Sequence, residues 1–140
     1  MTAKEFMSQA WEANHQITEK QYRFEELRSK AESMITAMNG FPRSASPNLQ
    51  QMESDILEII DLEQEIEVSK AEFNSIRQRI VDVIMKVEDQ KLSVLLELRY
   101  LWFLPWKNIA ERMCLSKRQV LRIHSSALCN ITRILSHETS

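Results

Sequence analysis

The sequence predicts an all-α protein in two parts: a long antiparallel helical hairpin of coiled-coil type over residues 1–88, then a C-terminal three-helix domain holding a helix-turn-helix over residues 89–140. Three observations lead there. One glycine and three prolines among 140 residues, with abundant Glu, Gln, Lys, Leu, Ile and Met, leave little turn chemistry for a sheet. Apolar residues keep a helical period through the first part. Between Trp106 and Leu128 the spacing becomes that of two short helices crossed over a tight turn.

In the first helix Phe6, Ala10, Ala13, Ile17, Lys20, Phe24, Leu27, Ala31, Met34 and Met38 recur at alternating spacings of four and three, and only Lys20 among them is not apolar. A sustained repeat of about 3.5 residues makes a seam that needs a partner helix. One helix is therefore predicted from about residue 2 to residue 38. Asn39, Gly40 and Pro42 should stop it, the stretch N-G-F-P-R-S-A-S-P-N is a loop, and Pro47 with Asn48 opens the next helix.

From Leu49 to Val87 the stripe comprises Met52, Ile56, Ile59, Leu62, Ile66, Phe73, Ile76, Ile80, Val83 and Val87, with Ser69 as its polar gap. Two such seams pair most economically as an antiparallel hairpin, about 50 Å long at 1.5 Å per residue. Ile60 and Ile84 fall off the main stripe. They are expected to pack against a second copy, giving a homodimer through the hairpin; the alternative is packing against the C-terminal domain of the same chain.

A third helix should begin at Glu88 and Asp89, whose charges suit its N-terminal dipole, and carry Leu92, Leu95, Leu96 and Leu98 inward. It should end near Leu101 to Phe103, because Pro105 restricts Leu104 and suits the first turn of a following helix that runs from about Pro105 to Met113. The aromatic segment from Trp102 to Trp106 is expected in the core, the alternative being that one tryptophan stays exposed and marks a protein contact.

Within the helix-turn-helix pattern Ala110 lets the helices touch, Met113 and Leu115 bracket the turn, and Val120 locks the crossing. Ser116 is suited to cap the second helix, whose buried side is Val120, Ile123, Ala127, Leu128 and Ile131. Arg118, Leu121, Arg122 and Ser125 then share the opposite face, with Lys117 and Gln119 flanking. Such a face can enter a major groove of double-stranded DNA. Arg122 is the best base reader, since a guanidinium can bond guanine O6 and N7 together, while Lys107 and Lys117 suit phosphates. Charge agrees: residues 1–90 hold 10 Lys+Arg against 17 Asp+Glu, and residues 91–140 hold 8 against 3. A basic end on an acidic arm is the pattern of a nucleic-acid-binding module joined to something that avoids phosphate.

The run I-A-E-R-M-x-L-S-x-x-x-V-x-x-I-x-x-x-A-L, residues 109–128, resembles region 4 of bacterial sigma factors, which reads the promoter −35 element. Nearly the whole chain is similar to a family of phage and prophage proteins of Gram-positive bacteria, through M-T-A-K-E-F, I-T-A-M-N-G, I-I-D-L-E-Q-E-I, L-L-E-L-R-Y and V-L-R-I-H-S-S-A-L. That family is grouped with sigma-like late-gene regulators of the ArpU and RinA types, and the resemblance implies transcriptional control. The chain departs from the sigma pattern at Cys114, where region 4 usually has glycine, at Arg118, where it has an acid, and at Leu121, where it has an arginine. The usual −35 sequence therefore does not carry over. With no recognisable region 2, an activator or sigma-like accessory is expected rather than a complete sigma factor, with host RNA polymerase as a candidate partner.

Other classes fit less well. His124 precedes Ser125 and Ser126, but no acid is placed to orient the imidazole, so no catalytic residue and no enzyme activity is expected. No glycine-rich phosphate loop and no metal-ligand spacing occur, so no cofactor and no metal are expected. Cys114 and Cys129 should be reduced thiols. The start M-T-A-K-E-F-M lacks the features of a signal peptide and no apolar run reaches the roughly 18 residues of a membrane span, which predicts a cytoplasmic protein without a membrane partner. Two alternatives remain: a small terminase-like DNA-packaging subunit, and a module that binds RNA polymerase or a sigma factor without DNA binding of its own.

Overall fold

A computed structural model describes residues 1–38 and 47–138, and over them the protein is all-α, with five helices and no strand. These are α1 (Ala3–Met38), α2 (Pro47–Met85), α3 (Gln90–Tyr100), α4 (Trp106–Met113) and α5 (Lys117–Glu138). The expected loop, with the helix stop at Asn39, Gly40 and Pro42, lies outside the described residues. Thr2 starts α1 by accepting the Glu5 N–H on its hydroxyl at 3.1 Å. Helix α2 opens at Pro47, where a proline gives up only an amide that would find no partner in the first turn. No helix among the described residues is long and apolar enough to cross a membrane.

Two compact units can be separated, one formed by Asn14–Ala71 and the other by Met1–Ala13 with Glu72–Ser140. In the first, Ile17, Ala31, Leu62 and Ile66 are buried, and Phe24, Leu27, Met34, Met52 and Ile59 are half-buried. The inward position after Met52 belongs to Asp55, 3 % exposed, whereas Ile56, expected on the stripe, is 39 % exposed. The reason is the period. A strict alternation of three and four from Met52 passes through Asp55, Ile59, Leu62, Ile66, Ser69 and Phe73, and geometry holds to that repeat even where an aspartate occupies it. Asp55 is compensated in part: Gln51 Nε2 donates to its Oδ1 at 2.9 Å and the charge of Lys30 Nζ stands 3.7 Å from its Oδ2, which has no hydrogen-bond partner among the described residues. The two polar breaks in the seams meet, with Lys20 Nζ donating to Ser69 Oγ at 2.9 Å, and Arg23 pairs with Glu58.

The second unit has its main core where Ala3, Phe6, Met7 and Ala10 of α1 meet Ile80, Val83, Ile84 and Val87, Leu92, Leu96 and Tyr100 of α3, and Ala127 and Ile131 of α5. Ile84 therefore packs within the chain, while Ile60 stays 46 % exposed. A smaller core joins Leu95, Ile109, Ala110 and Val120, so that α3, α4 and α5 share one apolar junction. Lys86 pairs with Glu138 near the end of α5. Against expectation Trp102 is 59 % exposed. It follows the end of α3, its N–H bonded back to the Glu97 carbonyl at 3.1 Å, and the backbone reverses at Phe103 (φ 58°), so that Phe103, Leu104 and Trp106 turn inward and Trp102 does not.

Candidate nucleic-acid interface

Local devices fix the start of α3, both ends of α4 and the start of α5. Asp89 caps α3, its carboxylate accepting from the amides of Lys91 and Leu92 at 2.9 and 3.4 Å. Pro105 precedes α4 in an extended conformation and Ile109 N–H bonds to its carbonyl at 3.1 Å. Helix α4 stops at Cys114, which is left-handed (φ 57°, ψ 41°). The Leu115 N–H reaches back to Ala110 O at 3.0 Å and the Cys114 N–H to Glu111 O at 3.3 Å, the paired bonds of a Schellman stop. A residue with a Cβ in that conformation costs roughly 1–2 kcal/mol, which explains the usual preference for glycine.

Helix α5 opens with a reciprocal cap. Ser116 Oγ accepts the Gln119 N–H at 3.2 Å, and Gln119 Oε1 accepts the Ser116 N–H at 2.9 Å. Leu115 and Val120 pack in the same small core on either side of this cap, the arrangement that fixes the entry angle of a chain into a helix. Ala110 and Val120 are buried, and Met113 and Leu115 are half-buried. The inner side of α5 is Val120, Ile123, His124, Ala127, Leu128 and Ile131.

His124, not expected among the buried residues of this helix, belongs to that inner side. It lies four residues after Val120 and three before Ala127, the spacing of the buried stripe, which is the signal that could have placed it. Its Nε2 is 2.6 Å from the Tyr100 hydroxyl, and the Trp106 ring meets it edge-on with centroids 4.6 Å apart. Burial, then the charges of Lys4 and Arg99, lowers its pKa to about 4, so it is neutral at pH 7. Burial likewise raises the pKa of Tyr100, against the opposing pull of Arg99. A neutral imidazole thus ties α3, α4 and α5 together.

The opposite side of α5 is open. Lys117, Arg118, Gln119, Leu121, Arg122 and Ser125 are all exposed, as are Ser116 in the turn and Lys107 on α4. Their availability differs. Ser116 and Gln119 are held by each other, and Ser125 spends its proton on the Leu121 carbonyl at 3.3 Å. Among the described residues no carboxylate lies within ion-pair distance of Lys107, Lys117, Arg118 or Arg122. Lys117, Arg118 and Arg122 in the first two turns of α5, with Lys107 on α4, are cations with no paired carboxylate among the described residues, and unpaired positive charge attracts anions. No group of three or more His, Cys, Asp or Glu side chains that could hold a metal occurs among the described residues.

In comparison with known proteins, the chain matches no protein-family model, no curated protein and no solved structure.

Proposed function

We propose that this protein is a sequence-specific DNA-binding transcriptional regulator, a sigma-like accessory or activator of phage or prophage genes acting in the cytoplasm. In this reading α4, the turn at Cys114 and α5 are a helix-turn-helix resembling sigma region 4, and α1 with α2 is a coiled-coil-like hairpin that serves as an oligomerisation arm. The observation that carries it is the exposed face of α5. Arg118, Leu121, Arg122 and Ser125 share one exposed face with Lys117 and Gln119 flanking, no carboxylate among the described residues pairs with its cations, and the start of the helix is fixed by the Ser116–Gln119 cap. Arg122 reads a base edge, Arg118 and Leu121 contact neighbouring bases, and Lys107 and Lys117 hold phosphates. Leu57, Ile60 and Val68, 63, 46 and 60 % exposed, share one side of α2 and supply the apolar face for a second copy.

The test is selection of bound sequences from a random duplex library by the full-length protein at near-physiological salt. An enriched motif with two half-sites about one helical turn apart supports a dimeric regulator. Enrichment by a ring of many copies favours DNA packaging. A folded protein that enriches nothing and shows no salt-dependent DNA binding refutes the reading in favour of a module for RNA polymerase or a sigma factor.

A further inference from the structure

Away from the α5 face, Lys4, Ser8 and Trp11 of α1 and Arg99, Tyr100, Phe103 and Trp106 around the α3–α4 link line a partly open pocket of about 310 Å³. That volume lies at the lower end of the roughly 300–1,000 Å³ typical of small-molecule sites. Its lining combines four aromatic side chains with two cations, and among the described residues no carboxylate pairs with either Lys4 or Arg99. Arg99 is held in place. Its guanidinium sits 4.3 Å over the Trp106 ring and donates to the Leu104 carbonyl at 3.0 Å, which leaves further N–H groups of a rigid fork unused.

Two more observations converge here. Phe103 is held at φ 58°, a conformation disfavoured for a residue with a bulky side chain, and its ring lines this cavity. The charges of Lys4 and Arg99 also reach the buried His124 beneath, where they add to the lowering of its pKa. Positive charge in an aromatic lining, with no carboxylate among the described residues paired to either cation, is the complement of a flat apolar molecule that carries a negative charge.

We propose that this cavity binds a small organic anion with a flat apolar body, an aromatic carboxylate, its carboxylate between Lys4 and Arg99 and its ring among Trp11, Phe103 and Trp106. The cavity's chemistry is independent of what the α5 face binds.

The experiment is an NMR titration of the full-length protein, following the indole N–H signals of its three tryptophans, with benzoate, its neutral isostere benzamide, and inorganic phosphate as probes. Trp102 does not line the cavity and serves as the internal control. Benzoate should shift Trp11 and Trp106 saturably and leave Trp102 in place, with benzamide and phosphate each weaker by about tenfold or more. Lys4→Met, a change at an exposed position, should weaken benzoate by about fivefold or more while the signals otherwise stay those of the folded protein. Equal binding of benzamide, equal movement of Trp102, unchanged affinity in Lys4→Met, or no saturable shift would each overturn the proposal.

Discussion

Neutral His124 makes the stability of the C-terminal junction depend on pH in a window that can be stated in advance. Its ordinary pKa of 6.5 falls to about 4 in the folded chain, because burial against Tyr100 and Trp106 and the nearby charges of Lys4 and Arg99 all disfavour the imidazolium. Above pH 6.5 both folded and unfolded chains hold the ring neutral and stability is at its full value. As pH falls through the window from 6.5 to 4, the unfolded chain takes up the proton first, so stability is lost progressively, and the loss is complete once the folded state protonates too. At pH 5 the loss works out at about 2 kcal/mol. Urea unfolding of the wild type and of His124→Gln, at pH 7.5 and at pH 5, isolates the effect, since losses from carboxylates are common to both proteins. The difference between the two stabilities should shrink by about 2 kcal/mol on acidification. Parallel pH profiles, agreeing within about 0.5 kcal/mol, would mean that His124 titrates as a solvated residue and would refute the buried arrangement.

Other substitutions report on other parts of the fold. Ser116→Ala removes one half of the reciprocal cap on α5 and should lower the unfolding free energy by about 1 kcal/mol, seen in denaturant melts without a change in slope. Cys114→Gly relieves a left-handed residue that has a Cβ and should raise stability by up to about 1 kcal/mol, whereas Cys114→Val, β-branched at the same position, should lower the melting temperature. At the polar layer of the long helices, Ser69→Leu alone leaves Lys20 without its acceptor and should destabilise, while Lys20→Leu with Ser69→Leu should exceed the wild type in melting temperature and loosen the choice of register.

The helices were legible because the chain writes its periods plainly. Phe6, Ala10, Ile17 and Ala31 on α1, and Leu62, Ile66, Ile80 and Val83 on α2, are buried where the repeat puts them, and the stops at Met113 and the start at Lys117 sit where Cys114 and Ser116 place them. What was missed involves residues whose chemistry contradicts their position. Asp55 was passed over for Ile56 because a carboxylate on a seam looks wrong until Gln51 and Lys30 are known to meet it. Lys20 and Ser69 each interrupt a stripe when one helix is read alone, and their complementarity needs both helices at once. His124 fits the buried stripe by spacing, yet its partner Tyr100 comes from another helix. Trp102 is exposed through a backbone reversal at Phe103, a non-glycine residue that gives no sequence signal for a left-handed conformation. The polar face of α5 is readable as the remainder of its apolar one, but that no carboxylate among the described residues pairs with its cations is a property of the folded surface.

The measurement that bears most directly on the central claim is the affinity of full-length protein and of Arg122→Ala for the selected duplex and for a random duplex, across a range of salt. Arg122→Ala should cost about 1–3 kcal/mol on the selected duplex and little on the random one, with each phosphate contact of the wild type adding about −0.9 to the slope of log K against log salt. Equal loss on both duplexes, or binding that does not respond to salt, would contradict a base-reading α5.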